Sequence, residues 1–139
     1  MSYVIHIWEE PVPTSLEHAG ELVGELIRAP KTAVPNPKYV EAAARLTAKY
    51  PFEEDPWADP EGEVWSDGPL RPGGERIWAV GVFSEYLSEV QPFVVSVSNQ
   101  LGLVVYDTQL GKAYLPDGTV LSSPAPARPW WKFWLWWKL

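Results

Sequence analysis

Cysteine is absent from the chain. No disulfide and no thiolate-bound zinc site can form, and the composition suits a reducing compartment, so a cytoplasmic protein is expected. Histidine is scarce: His6 and His18 are the two present, and they fall on different predicted elements, so no metal site is assigned. No apolar stretch reaches the ~18 residues that cross a bilayer. The opening MSYVIHIWEEP lacks a basic segment followed by a long apolar run, so it does not read as a signal peptide. Recognisable catalytic and cofactor signatures are also missing: there is no phosphate loop, dinucleotide fingerprint, serine elbow or paired metal motif. Gly73-Gly74 stands in RPGGER without the Lys and Ser/Thr of a phosphate loop and reads as a turn. No catalytic residue and no cofactor is therefore assigned, and a non-enzymatic protein is expected.

Basic charge is the next scarcity. Residues 1–127 carry eight Lys or Arg against eighteen Asp or Glu, a net charge of −10. The last twelve residues carry Arg128, Lys132 and Lys138 and no acid, and the whole chain stands at −7. An acidic body repels phosphates, which argues against nucleic acid as a partner and suits a basic protein instead.

What is present is a 139-residue chain, one domain by length and able to bury a substantial core. Residues 2–8 (SYVIHIW) are rich in β-branched and aromatic side chains and predict a strand. Thr14 with Glu17 predicts a capping box for a helix over 15–29, with Leu16, Ala19, Leu22, Val23, Leu26 and Ile27 on one side and Glu17, Glu21 and Glu25 on the other. Asn36-Pro37 starts a second helix, whose buried face is Tyr39, Ala43, Leu46 and Tyr50 and which Pro51 ends. Residues 76–83 and 103–107 predict strands, followed by 112–115 and 119–121 across short turns. Residues 88–101 have strand-like composition but helical spacing at Val90, Val94, Val97 and Leu101, with Pro92 in a first turn and Gly102 as C-terminal cap, and helix is the reading adopted. The expected class is α+β: a small, mostly antiparallel sheet of about four strands with two to three helices on one face. Leu22, Leu26, Leu46, Trp78, Val104 and Tyr106 are expected in a single core. The domain spans 1–121, a Pro/Ala-rich linker 122–129, and a Trp-rich tail 130–139.

Two segments are unusual. Residues 52–74 form a long irregular loop, and long loops in small domains are commonly functional. Between positions 53 and 67 it has seven acids and no base: Glu53, Glu54, Asp55, Asp59, Glu61, Glu63 and Asp67. Trp57, Val64 and Trp65 punctuate it and are expected to pin it to the body. Interleaved carboxylates and tryptophans are suited to docking a basic surface, with aromatics as anchors and charge steering the encounter, so these acids with Trp57 and Trp65 are the candidate contacts. The second segment, WWKFWLWWKL, leaves no polar face if helical, and its ~15 Å cannot span a membrane. Trp130, Trp131, Trp134, Trp136 and Trp137 are its candidate contacts. Docking on its own domain or on a twin subunit, as a homo-oligomer, is expected ahead of peripheral membrane contact or of a tail hanging free behind the linker. Asp107, at the end of LVVYD, is the best single carboxylate for acid–base chemistry, though a strand-end Asp more commonly accepts backbone N–H groups from the following turn.

The opening SYVIHIW, the WSDGPL of residues 65–70 and the GLVVYDTQLGKAYLP of residues 102–116 resemble a loose group of small bacterial cytosolic proteins, some of them similar to immunity proteins of secreted toxins. The resemblance covers most of residues 1–121 and rests on structural motifs, so it carries no functional residue across. Taken with the acidic charge, the expected role is protein binding, with a basic toxin or effector covered by the 53–67 loop and nearby first-helix carboxylates. The alternatives are a membrane-associated protein held by the tail and a small enzyme without a recognisable motif.

Overall fold

The alternation in SYVIHIW sends Ile5 and Ile7 to one side of a strand and His6 and Trp8 to the other, and both sides find cover. The computed structural model describes residues 2–55, 57 and 62–122. Strand β1 (Ser2–Trp8) lies inside a five-stranded sheet of order β2-β1-β3-β4-β5, with β2 (Ile77–Phe83), β3 (Val104–Asp107), β4 (Lys112–Tyr114) and β5 (Val120–Ser122). Every pairing is antiparallel, with Ile5 opposite Val80 and Asp107. The class is α+β, as expected. Five strands stand where about four were expected, because 120–122 pairs fully with 112–114. The sheet thus takes in Ser122, which had been assigned to the linker.

Helix α1 (Leu16–Arg28) is capped by Ser15, one residue later than expected. Ser15 Oγ accepts the His18 N–H at 3.0 Å, and His18 Nδ1 accepts the Thr14 N–H at 3.0 Å. His18, rather than Glu17, thus reaches back across the cap, to the N–H of the residue before it. Helix α2 (Pro37–Lys49) starts at the expected Asn36 cap, whose Oδ1 accepts the Lys38 N–H. Helix α3 (Leu87–Gln100), after a 3-10 turn at Ser84–Tyr86, confirms the helical reading of the ambiguous segment. It begins early enough to put Pro92 in its second turn, where the proline lacks the N–H that the Ser88 carbonyl would otherwise meet. Gly102 ends it at φ +79°, with Gly102 N–H on the Asn99 carbonyl and Leu103 N–H on that of Ser98. This is the paired-bond stop that a left-handed residue permits.

The helices α2 and α3 share one sheet face and α1 covers the other. Tyr39, Ala42, Ala43 and Leu46 of α2 and Val90, Val94 and Val97 of α3 pack with Ile5, Ile7, Trp78, Val80, Val82 and Val105. Ala19, Leu22 and Leu26 of α1 pack with Trp8, Ile77, Val104, Ala113 and Leu115. The single expected core is thus two cores with the sheet between them. Of the six expected core residues, Tyr106 is half-buried and the other five are buried.

Candidate partner-binding surface

The acidic loop is built outward from α2. The Tyr50 ring meets Trp65 and Phe93 edge-on, at 6.1 and 5.9 Å between centroids. Trp65 Nε1 donates to the Tyr50 carbonyl at 2.6 Å. Residues 64–66 then lie against the outer side of β2: Ser66 N–H donates to the Gly81 carbonyl and Phe83 N–H to that of Val64, both at 2.9 Å. At Gly81 the backbone runs close under this segment: a Cβ there would meet the Asp67 carboxylate and the Ser66 hydroxyl, which would have to turn aside. Val64 and Trp65 pin the loop as expected, but this removes Trp65 from the candidate contacts: it is 1 % exposed and belongs to the core.

The carboxylates nearest the anchor organise the loop. Glu63 accepts the N–H groups of Glu53 (2.9 Å) and Trp65 (3.1 Å) through its two oxygens, so it acts as a brace. Glu53 Oε1 accepts the Asp55 N–H, and Asp55 Oδ1 accepts the Trp57 N–H, each at 2.9 Å. Glu54 lies 3.3 Å from Arg71 across an exposed ion pair, an arrangement that adds little stability. These self-capped turns carry Trp57 outward to 93 % exposure. Trp57 therefore does not pin the loop, contrary to expectation. Glu53, Glu54, Asp55, Trp57 and Asp67 are the exposed members of the candidate set. Asp59 and Glu61 lie outside the described residues, as do the tail candidates Trp130, Trp131, Trp134, Trp136 and Trp137.

Three cavities of about 380, 370 and 300 Å³ meet around Glu75, on the side of the molecule where β2 forms the sheet edge. Glu75 pairs with Lys31 at 3.5 Å, and its carboxyl is held below the usual range, mainly by a backbone hydrogen bond. The 300 Å³ cavity is lined by His6, Leu26, Ile27, Ala29 and Ala79. Burial lowers the His6 pKa, and its Nδ1 is buried with no partner among the described residues. The 370 Å³ cavity adjoins a polar network at the end of β1. Glu9 accepts from Lys38 Nζ at 2.7 Å and from Asn36 Nδ2 at 2.9 Å, and these bonds lower its pKa. The Tyr39 hydroxyl donates to the Arg76 carbonyl and accepts the Glu9 N–H, and burial pushes its pKa up to about 12. Glu9 and the Asn36 cap stand 27 residues apart, so nothing local in the sequence shows that they meet.

Asp107 takes the turn role. Its Oδ1 accepts the N–H groups of Gln109 and Leu110 at 2.9 and 3.2 Å, while its buried Oδ2 has no partner among the described residues. His18 is engaged in the α1 cap, away from His6 on β1, and among the described residues no three His, Asp or Glu side chains gather into a metal-holding group. No helix among them is long and apolar enough to cross a membrane. Compared with family models, curated proteins and solved structures, the chain matches none.

Proposed function

We propose that this protein is a binding module that docks a basic protein partner through the exposed part of its acidic loop. The observation that carries the reading is Trp57, 93 % exposed on a loop anchored at Trp65 and flanked by Glu53, Glu54 and Asp55. A large aromatic ring that stands in water has only two side-chain torsions to fix on docking and gains the burial of its whole surface. The surrounding carboxylates attract a basic surface over roughly a Debye length and orient the encounter. An immunity-like role against a basic toxin or effector is the specific form of this reading, and the resemblance noted above supports it. The first-helix carboxylates are left out of the contact, because α1 covers the sheet face opposite α2, from whose end the loop departs.

The test separates anchor from steering. With a partner captured by chemical cross-linking in cells, Trp57→Ala should raise the dissociation rate. Glu53→Gln with Asp55→Asn, which keeps the capping oxygens and removes the charge, should slow association and flatten its salt dependence. If neither rate moves across a salt series, the loop is not the docking surface.

A further inference from the structure

The outer side of β2 is only partly used. In the antiparallel register with β1, Trp78, Val80 and Val82 direct their N–H and C=O groups inward to β1, and Ile77, Ala79, Gly81 and Phe83 direct theirs outward. Residues 64–66 take up the Gly81 carbonyl and the Phe83 N–H. Past that point the chain leaves the strand position at Asp67. The outward groups of Ile77 and Ala79, and the Gly81 N–H, have no backbone partner among the described residues. Beside them the loop over 67–75 stands off the strand and leaves the 380 Å³ cavity, lined by Asp67, Leu70, Arg71, Ile77, Ala79 and Gly81. The strand itself, IWAVGVF, carries no lysine, proline or inward charge of the kind that guards an open edge. On the α1 side, the 300 Å³ cavity continues the apolar floor through Ala79 to Leu26 and Ile27, the latter 61 % exposed.

An unpartnered strand edge takes an extended segment, whose backbone N–H and C=O groups pair with its own. The chain contains a segment of that kind. Residues 123–139 lie outside the described structure, and their sequence alone enters here. Read with a period of two, Trp131, Phe133, Leu135, Trp137 and Leu139 form one wholly apolar face, and both lysines, Lys132 and Lys138, fall on the other. The lysine face also holds Trp130, Trp134 and Trp136, so one face is free of charge and both are rich in the aromatic residues that strands favour. The linker is long enough. From β5 to a position beyond β2 is five strand spacings, about 24 Å, and thirteen extended residues from Ser122 to Leu135 reach about 43 Å. The basic tail is also attracted by the acidic body, which an anionic lipid surface would repel.

We propose that residues 131–137 dock on their own domain as an added strand beside 77–81 of β2, with the apolar face over Ala79 and Ile27. The full-length chain provides the test. Amide exchange at Ile77 and Ala79 should be slower by at least roughly tenfold than in Phe133→Asp/Leu135→Asp, since a backbone hydrogen bond is worth about that factor. Ala79→Pro loses an N–H that faces away from β1, so the fold should survive while Ile77 protection falls. The absence of native cysteine allows a second readout. Ala79→Cys paired in turn with a single cysteine at each of 131–137 should oxidise to a monomeric adduct at odd tail positions and poorly at even ones. Equal Ile77 and Ala79 exchange in the full-length chain and the Asp variant, or a flat cysteine pattern, overturns the proposal. A dimeric adduct overturns it in favour of a second copy's tail.

Discussion

The His6 ring sits between the sheet and the end of α1, with Nδ1 buried and its pKa lowered by desolvation. The folded protein therefore holds this ring neutral over a range in which the unfolded chain, with a value of 6.5, takes up a proton. Stability from this group is present above pH 6.5 and falls as the pH drops through the window below it. In His6→Leu, the loss of melting temperature between pH 7 and pH 5 should be smaller than in the parent chain, and equal slopes would remove His6 as the cause. Sequence reading placed His6 on a strand and left it without a role. The residues that share its cavity, Leu26, Ile27 and Ala79, lie far from it in the chain. Asp107 was legible instead, because the N–H groups it accepts lie two and three residues away.

At the scale of elements, local signals were dependable where the partner lies within one turn. The Asn36 cap and the Gly102 stop formed where the sequence placed them, whereas the α1 cap moved to Ser15, with His18 rather than Glu17 reaching back across it. The 52–74 loop is the opposite case. Its two described tryptophans differ by position in space: Trp65 reaches the Tyr50 carbonyl and meets the Tyr50 ring edge-on, and Trp57 stands 93 % exposed. Composition cannot distinguish them. Trp65→Ala removes a buried ring and the loop's main anchor, and should cost about 3–5 kcal/mol. Limited proteolysis should then cut within 52–74 well below the melting temperature, while Trp57→Ala should leave both stability and cleavage unchanged.

On the scale of the whole molecule, the sheet separates two hydrophobic layers that share no side chain. Leu26 lies in one and Leu46 in the other, 5 % and 0 % exposed. Each change to Ala should cost about 2–5 kcal/mol. With a sheet between them, the double variant should lose the sum of the two to within ~0.5 kcal/mol in denaturant titration. A larger deviation would mean that the layers relax together and act as one core. The Glu9 bridge to Asn36 and Lys38 crosses from the end of β1 to the start of α2. Together with the Tyr39 hydroxyl, it ties α2 to the sheet at a polar rim outside both layers.

By itself the sequence determined the α+β class, the three helices, the course of the strands and the uneven charge, because periodicity, caps and turn residues act within a few positions. Tertiary structure decided that the helices would divide between the two faces of the sheet. Both faces of β1 and β2 carry apolar residues, and pattern alone does not say which helix covers which. It also decided that Trp65 would be an anchor and Trp57 an exposed ring, and that among the described residues the outer side of β2 would be paired around 82 and unpaired at 79. Those outcomes depend on where a loop leaves the sheet, which is set by packing between residues remote in the chain.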